Sequence, residues 1–450
     1  MSKSDEQLKS NFLSAREAIQ EINDGRLTSE ELVRDCLDRI VEFDGTIGAW
    51  THLDPELALE QARNADEQRS GGGPVGPLHG IPIGIKDIID TKDMPTQLGT
   101  PIHEGRSPAD DAGLVERLRE AGAIILGKTV TTEMAVFAPG KTTNPHDATR
   151  TPGGSSSGSA AAVASFMVPL AVGTQTNGSV IRPASFCGVF GFKPTFGRIS
   201  RHRVLKQSPL LDTVGVFSRT LEDTAWLSDV LIGYDSRDKA MRPHARLRIS
   251  KVMEDSPPMD PHIAFIRSPV WDQAEESTKE AMREIISTAA DHIDIVELSG
   301  NFNHAHEMHR RIMEADLAKN FAREYRDGKD KLSKILCEMI ERGQKVTAIE
   351  YNEAVESIED YNDELKEIFA EYDVIMTPSA PGEAPVGLES TGSPAFCTIW
   401  TLCGTPALTM PLLNGPANMP MGIQMVGARQ DDGRLFRTAK WFLKTLNDVE

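Results

Sequence analysis

The segment between Thr151 and Pro194 constrains this chain more than any other stretch. It reads TPGGSSSGSAAAVASFMVPLAVGTQTNGSVIRPASFCGVFGFKP and is rich in serine and glycine, with Arg182 and Lys193 as its only charged residues. Its glycine content is too high for an ordinary core, and its charge is too low for an ordinary surface loop. Glycine lets the backbone approach another group closely because it has no Cβ. The segment therefore predicts a buried polar site.

Strand and helix patterns alternate along the rest of the chain. Thr28 and Glu31 form a capping-box pattern at the start of an amphipathic helix. The apolar face of this helix is predicted to comprise Leu32, Val33, Cys36, Leu37, Ile40 and Val41. Alternating isoleucines over 81–85 predict a strand that ends at Lys86.

Further elements follow from the same periodicities. The predicted helices cover 55–68, 111–121, 159–166, 273–290, 303–327, 347–372 and 433–446. The predicted strands cover 123–126, 167–172, 262–266, 293–298, 374–376 and 421–425, and 173–178 is predicted to be a loop. This order of elements is typical of an α/β protein, and no flexible linker divides it into independent domains.

Charge and hydropathy exclude several classes of partner. The formal net charge is -19 at pH 7, and Lys and Arg form no cluster. Nucleic acid and anionic membranes attract clustered basic residues, so neither is expected as a partner. The N-terminal stretch lacks the continuous apolar core of a signal peptide, and the most apolar run, over 160–172, is too short to span a bilayer. We therefore expect a cytoplasmic protein.

Cysteine and histidine do not form a metal-binding pattern. The five cysteines are widely scattered, which indicates neither a disulfide framework nor a CxxC knuckle. His304, His306 and His309 lie close together, but no HExxH pattern accompanies them. A solvated polar helix face explains their spacing better than a metal site, so no metal is expected.

One serine pattern suggests an alternative nucleophile. Residues 154–158 read GSSSG, which matches the GxSxG nucleophile elbow and would select Ser156. That elbow follows a buried apolar strand, whereas residues 147–152 read DATRTP. It also needs an acid and a histidine downstream, and no histidine lies in a loop of catalytic character. A His-dependent α/β-hydrolase esterase is therefore the weaker alternative.

Lys86 offers a different base for serine chemistry. Ser-Lys hydrolases replace the histidine by a neutral amine. The pKa of lysine, ordinarily ~10.4, must then fall toward neutrality, which burial achieves by penalising the ammonium form. Lys86 at the end of an isoleucine-lined strand is suited to such burial. A single lysine is more often a surface or paired residue, so the prediction depends on Lys86 together with the loops at 153–159 and 173–179.

These segments together resemble the amidase signature family. GGSSSGSAAAVAS from Gly153 and GTQTNGSVIRPASFCGVFGFKP up to Pro194 match its signature almost continuously. Upstream, LHGIPIGIKDIIDTKDMPT over 78–96 and GKTVTTEMA over 127–135 extend the match. Further matches lie downstream, at 212–215, 404–407 and 421–424. The resemblance covers most of the chain, and its wording is closest to malonamidase-type bacterial amidases.

The resemblance implies a role for each residue of a proton relay. Ser179 is the implied nucleophile, Ser155 the bridging serine after a cis peptide bond, and Lys86 the final base. The oxyanion hole is implied to consist of the backbone N–H groups of Thr176, Asn177, Gly178 and Ser179. Water then cleaves an acyl-enzyme, and neither a metal nor an organic cofactor is required.

Four residues qualify this reading. Gln175 and Asn177 depart from the commoner family wording GTDTGGS. Gln175 is expected to replace a structural carboxylate contact, and Asn177 either reshapes the acyl pocket or occupies the αL conformation that Asn tolerates. Arg182 either binds a substrate carboxylate or supports the loop as a general signature residue. Cys187 is expected to be a packed thiol.

The combined prediction is a serine hydrolase that cleaves a C–N bond in a small-molecule amide or carbamate. Its fold is expected to be a single α/β/α domain over 1–450, with helices covering a mixed central sheet. N-terminal helices would occupy about 1–70, and a helical substrate-pocket region about 300–372. A dicarboxylic monoamide, an aryl amide and a urethane are all open as substrates, and a homodimer is compatible with the sequence. The remaining alternatives are an amidotransferase subunit, which needs a partner protein and tRNA, and a non-enzymatic binding protein.

Overall fold

The computed structural model describes residues 9–449 and contains one large mixed β-sheet. Its strands are, in chain order, β1 Trp50–Leu53, β2 Pro82–Lys86, β3 Ile124–Thr129, β4 Leu170–Gln175, β5 Phe190–Lys193, β6 Thr213–Ser218, β7 Ile263–Ile266, β8 Ile293–Val296, β9 Val374–Pro378, β10 Ala407–Asn414 and β11 Pro420–Val426. Within the described residues they are arranged in the order β1-β3-β2-β4-β6-β5-β10-β11-β9-β7-β8. The predicted single α/β domain with a mixed sheet is therefore confirmed.

Helices pack on the sheet. They are α1 Ala15–Asn23, α2 Ser29–Ile47, α3 Pro55–Ser70, α4 Gly113–Glu120, α5 Ser157–Ala164, α6 Ile181–Cys187, α7 Leu221–Leu231, α8 Ile249–Glu254, α9 Glu276–Thr288, α10 Ala305–Asn320, α11 Ala322–Gly328, α12 Lys334–Gly343, α13 Ala348–Glu371, α14 Ala395–Leu402 and α15 Asp432–Val449. No helix in the span from residue 9 to residue 449 is both long and apolar enough to cross a membrane.

The centre of the sheet carries the segments singled out in the sequence. β2 lies between β3 and β4 and is parallel to both, and β4 is antiparallel to β6. Every residue of β2 and β4 is buried, as expected for strands covered on both faces. Because β2 and β4 are parallel neighbours, their carboxyl ends meet at the same edge of the sheet. Lys86 ends β2 at that edge.

The amphipathic helix α2 confirms most of its prediction. The capping box of Thr28 and Glu31 is present in both directions. The predicted apolar face is buried except at Val41, whose side chain is 86% exposed. With 3.6 residues per turn, Val41 lies roughly 100° from the centre of the stripe formed by the other five residues. Including Val41 in the buried face was therefore wrong.

Strand ends and several short elements differ from the sequence prediction. β3 continues past Leu126 to Thr129, and β4 continues past Val172 to Gln175, through glycine and polar residues that interrupt the apolar pattern. The long helix expected over 303–327 is divided into α10 and α11. The strands and helices that lacked a periodic signal are β1, β5, β6, β10, α12 and α14. The predicted N-terminal helical region is present as α1–α3, and its first eight residues lie outside the described part.

Candidate active site

Three chain segments meet at the carboxyl ends of β2 and β4. The first is Lys86, and the second is the loop around Ser155, which leads into α5. The third runs from Thr176 to Ser179 and connects β4 to α6. The structure thus brings together residues that are separated by up to about a hundred positions in the sequence, because parallel strands align these ends.

Lys86 is completely buried and contacts two hydroxyl groups. Its Nζ donates to Ser155 Oγ at 2.7 Å and to Thr174 Oγ1 at 2.9 Å. Burial holds the pKa of Lys86 well below its ordinary value, because the ammonium form loses its hydration, and the charge of Asp212 opposes this shift. The arrangement favours a neutral amine that can accept a proton.

Ser155 lies beside the amine at the start of the glycine-serine loop. The peptide bond between Gly154 and Ser155 is cis, as the family resemblance implies. The side chain of Ser155 is 2% exposed, and its backbone oxygen accepts a hydrogen bond from Thr132 N at 3.2 Å. Ser155 Oγ is therefore held next to Lys86 by the fold on both sides of the loop.

Ser179 is placed at a pocket rather than in the packed interior. It lines a narrow pocket together with Thr176, Asn177, Gly178 and Arg182. No hydrogen bond in the described part of the chain joins the hydroxyls of Ser155 and Ser179. Contacts between catalytic groups are often loose without substrate and tighten in the complex. All the sequence-predicted site residues thus lie at this pocket or directly behind it.

Gln175 holds the start of the helix that follows Ser179. Its Oε1 accepts hydrogen bonds from Val180 N at 2.8 Å and Ile181 N at 3.0 Å, and its Nε2 donates to Thr401 Oγ1 at 3.0 Å. Backbone N–H groups at a helix start need such acceptors. Gln175 supplies the two acceptor contacts that a carboxylate could make and adds a donor. The expected structural replacement at this position therefore fits the observed contacts.

Asn177 is fixed by two hydroxyls of α14. Asn177 Oδ1 accepts from Thr398 Oγ1 at 2.8 Å, and its backbone oxygen accepts from Thr401 Oγ1 at 2.5 Å. Thr398 and Thr401 are three positions apart and therefore share a helix face. The backbone of Asn177 does not have a positive φ, so the αL alternative was wrong. The side chain instead forms part of the pocket wall.

Gly178 explains why this loop needs a residue without a side chain. A Cβ added at Gly178 would lie 2.9 Å from Pro394 Cβ and 3.2 Å from Cys397 Sγ. The first distance is shorter than side-chain packing permits, so any larger residue would push the loop away from α14. The backbone N–H groups at Gly178 and Ser179 depend on this close contact for their position.

Arg182 is buried without an acidic partner among the described residues. Its side chain donates to Gly392 O at 3.0 Å, Gly154 O at 2.7 Å and Thr391 Oγ1 at 3.1 Å. Its Nε has no hydrogen-bond partner within residues 9–449. Burial lowers the pKa of Arg182 to about 10, which still leaves a cation at neutral pH. Arg182 therefore supports the backbone before Ser155 and also brings an uncompensated positive charge to the pocket.

A larger pocket adjoins the narrow one. It has a volume of about 440 Å³ and shares Phe137, Asn177 and Met313 with the pocket at Ser179. Its walls come mainly from α10, α12 and α14 and include Phe137, Met313, Ile335, Met339, His306 and Thr398. Sequence reasoning missed α12, α14 and Phe137, because no pattern distinguishes a pocket-lining apolar residue from an ordinary core residue.

Two of the clustered histidines bind backbone oxygens instead of forming a metal site. A ring nitrogen of His306 lies 2.9 Å from Ala395 O, and Nε2 of His309 lies 2.9 Å from Thr176 O. Burial lowers the pKa of His309 to about 4, so the ring is neutral and Nε2–H donates to the carbonyl. His309 thus holds the loop that precedes Ser179, a role that its position in the sequence did not indicate. His306 and His309 line the larger pocket.

Ser156 and Cys187 are packed side chains. Ser156 Oγ donates to Thr174 O at 3.2 Å and accepts from Thr174 N at 3.2 Å. No histidine in the described residues contacts it, so this serine has no base. Cys187 is fully buried with Sγ 3.4 Å from Pro152 O, and burial raises the pKa of its thiol. The expected packed thiol is present, and Ser156 ties the loop to β4.

Comparisons with known proteins agree on one family. The family model described as Amidase matches residues 31–436. A glutamyl-tRNA(Gln) amidotransferase subunit from Natranaerobius thermophilus is 33% identical over 471 residues, which cover 96% of this chain and 95% of the relative. The structure of native peptide amidase from Stenotrophomonas maltophilia superimposes with a TM-score of 0.84 at 26% identity and covers 96% of both chains. A chain from a vestigial protein complex linked to the origins of an s-triazine catabolic enzyme gives a TM-score of 0.90 at 26% identity, with coverage of 97% and 98%.

Proposed function

Because this chain belongs to the amidase signature family, we propose that it hydrolyses the C–N bond of a small-molecule amide or carbamate through an acyl-enzyme on Ser179. The observation that carries this proposal is the 2.7 Å contact between the buried Lys86 amine and Ser155 Oγ, next to the Ser179 pocket. A buried lysine bonded to a serine hydroxyl beside a second serine is the arrangement that a proton relay without histidine needs.

The proposed relay moves one proton over two steps. Ser155 Oγ–H gives its proton to the neutral Lys86 amine and takes the proton of Ser179 as Ser179 Oγ attacks the substrate carbonyl carbon. The carbonyl π electrons move onto oxygen and form the tetrahedral intermediate. When that intermediate collapses, the C–N bond breaks and the relay returns the proton to the leaving nitrogen. Water repeats the sequence against the acyl-enzyme and releases the acid, or a carbamic acid from a carbamate.

The loop before Ser179 would stabilise the developing oxyanion. Its donors are proposed to be the backbone N–H groups of Thr176, Asn177, Gly178 and Ser179. Loss of one such donor typically costs ~10²-fold or more in rate. The contacts of Gln175, Thr401 and His309 with this loop support its fixed position. Donors that are already oriented need no rearrangement during the reaction, which is the main source of their effect.

The larger pocket supports a substrate with an apolar group. Phe137, Met313 and Met339 supply apolar surface, while Asn177 and His309 supply polar groups close to the narrow pocket. This composition suits an aryl or alkyl amide or a urethane. We also propose the helical region over about 300–372 as the part of the chain that selects the substrate. A carboxylate-bearing monoamide is the alternative that the unpaired charge of Arg182 favours.

A second candidate function is that of an amidotransferase subunit. Relatives with this name are 33% identical along almost the whole chain, whereas structural neighbours at similar coverage include an amidase. An amidotransferase subunit depends on a partner protein, so the isolated chain would then turn over simple amides poorly. A self-sufficient amidase would not need a partner.

The first prediction concerns the isolated chain. We expect it to hydrolyse at least one member of a panel of aryl anilides, aliphatic amides, monoamides of dicarboxylic acids and aryl carbamates. A reactive carbamate should also add a single acyl group to Ser179, which intact-mass and peptide mass spectrometry would locate. Labelling of Ser156 would contradict the proposal. Labelling of Ser179 without turnover of any panel member, but with ammonia release from glutamine in the presence of a partner, would favour the amidotransferase subunit.

The second prediction concerns the pH dependence. Because burial lowers the pKa of Lys86, the fraction of neutral amine rises as the pH increases through this lowered value. We therefore expect kcat/KM to increase with pH along an acid limb, since only the neutral amine accepts a proton. Solvent-viscosity controls would establish that chemistry limits the rate. A flat profile between about pH 5 and pH 9 under those conditions would contradict a lysine base.

A further inference from the structure

Three oxygen atoms form a short buried row behind the predicted oxyanion loop. Thr176 Oγ1 lies 2.5 Å from Gln207 Oε1 and 2.7 Å from Asp212 Oδ1. The three side chains are 3% to 8% exposed. Both separations are hydrogen-bond distances, so each of the two contacts requires one hydrogen.

The neighbouring contacts fix which atoms can supply those hydrogens. Gln207 Nε2 donates to Met134 O at 2.8 Å, so the amide is oriented with its oxygen toward Thr176. An amide oxygen has no hydrogen to donate. Asp212 Oδ2 accepts from Gln207 N at 2.9 Å and Ser208 N at 3.1 Å, which leaves Oδ1 as the atom that faces Thr176. The hydroxyl of Thr176 supplies one hydrogen, and the row needs two.

We infer that Asp212 is a neutral carboxylic acid in the active enzyme, with the proton on Oδ1, and that it donates to Thr176 Oγ1 while Thr176 donates to Gln207. Asp212 is then a positioning residue, because it acts through Thr176 on the loop that carries Ser179. The alternative, an ionised Asp212, places one of the two short contacts between a pair of acceptors with no hydrogen between them. Such a contact is repulsive in a buried site.

The charged groups around Asp212 are compatible with the acid form. Arg201 uses Nη1 for the backbone oxygens of Pro209 and Asp212, at 2.9 and 3.0 Å, and directs its remaining nitrogens to Asp238. Its cation is therefore not hydrogen-bonded to the Asp212 carboxyl group. The other titratable or charged side chains near this cluster are Lys86, His202, Arg203, Lys206, Arg237, Lys239, His309 and Asp316. Burial also raises the pKa of Asp212, which favours the protonated form.

The proton on Asp212 has a consequence for Lys86. A neutral Asp212 does not stabilise the ammonium form of Lys86, so burial alone sets the pKa of the amine and keeps it low. Ionisation of Asp212 would raise the pKa of Lys86 and would also open one contact of Thr176. Both changes reduce activity. This inference rests on the proposed function for its kinetic consequence, whereas the protonation state itself does not depend on it.

The first test needs no substrate. Infrared difference spectra between the wild-type enzyme and the Asp212→Asn variant near neutral pH should show the carbonyl band of a carboxylic acid, present in the wild type and lost in the variant. Asp316→Asn is the matched control. Asp316 is also buried, but its two oxygens accept from Ser208 Oγ at 2.5 Å and Tyr351 OH at 3.1 Å, so it needs no proton. If Asp212→Asn removes a carboxylate band instead, the inference is wrong.

The second test is the pH profile. Above its acid limb, wild-type kcat/KM should fall about tenfold for each pH unit above the pKa of Asp212. In Asp212→Asn the amide can donate to Thr176 and accept from Gln207 N and Ser208 N without ionising, so this alkaline limb should disappear. An alkaline limb that persists unchanged in the variant, or no alkaline limb in the wild type, would overturn the inference. If Asp212→Asn does not fold, the wild-type profile still decides.

The two proposals fail in different ways. If Ser179→Ala retained full activity, the proposed function would be wrong and the kinetic profile would lose its meaning, but the infrared measurement would still decide the state of Asp212. If Ser179→Ala is inactive while the Asp212 spectra show a carboxylate, the inference fails and the proposed function stands.

Discussion

Replacing Ser179 by alanine is expected to reduce kcat/KM by on the order of 10⁴-fold or more, because the substitution removes the proposed nucleophilic oxygen. The same variant should no longer be acylated by a reactive carbamate. Ser179 lies at the pocket wall and the change removes a single atom, so the fold should be preserved. Turnover assays on the substrate found in the panel, together with intact-mass spectrometry, measure both effects.

Two serine controls make this result specific. Ser165→Ala removes a hydroxyl that donates to Ala161 O, at 2.7 Å in α5, and should leave turnover unaffected. Ser156→Ala removes the contacts with Thr174 but no proposed catalytic atom. If Ser156→Ala abolished turnover while Ser179→Ala retained it, a nucleophile-elbow hydrolase would replace the present proposal.

Replacing Lys86 by methionine is expected to lower kcat/KM by a comparable factor while leaving stability nearly unchanged. The side chains have similar length, but methionine removes the amine that accepts the proton. The Lys86 amine is bonded to two hydroxyls rather than to a carboxylate, and burying such an amine costs free energy, so its removal carries no large penalty for folding. Turnover assays and urea-induced unfolding of the same variant separate the two quantities.

Lys128 provides the matched control for Lys86. It is equally buried, one strand away in β3, and donates to Ile89 O at 2.6 Å and Thr96 Oγ1 at 2.6 Å, with Asp87 at 4.0 Å. Lys128→Met should therefore lower the free energy of unfolding by roughly 3 kcal/mol or more, because it leaves Asp87 buried without its cation. A variant Lys86→Met that unfolds while retaining specific activity would contradict the assigned roles.

Much of the sheet could be predicted from local patterns. β2 follows from the alternating isoleucines, and the capping box marks the start of α2. The ends of β3 and β4 could not be found in this way, because Lys128 and Gln175 are buried polar residues. Their contacts come from other segments, such as Ile89 O for Lys128 and the backbone N–H of Val180 for Gln175. Hydropathy does not record such partners.

The chemistry of the site divides in the same way. The sequence by itself determined the family, the strand that ends at Lys86 and the glycine-serine segment with Ser155 and Ser179, since these depend on residue types at fixed spacing. Only the tertiary structure decided that Gln175 holds the helix start and that His309 holds the oxyanion loop. It also decided the contacts that surround the loop, from Thr401, Gln207 and Asp212. The physical reason is that hydrogen bonds between residues 30 to more than 200 positions apart depend on the strand order, which aligns the end of β4 with β2 and β6 and is not encoded in any local period.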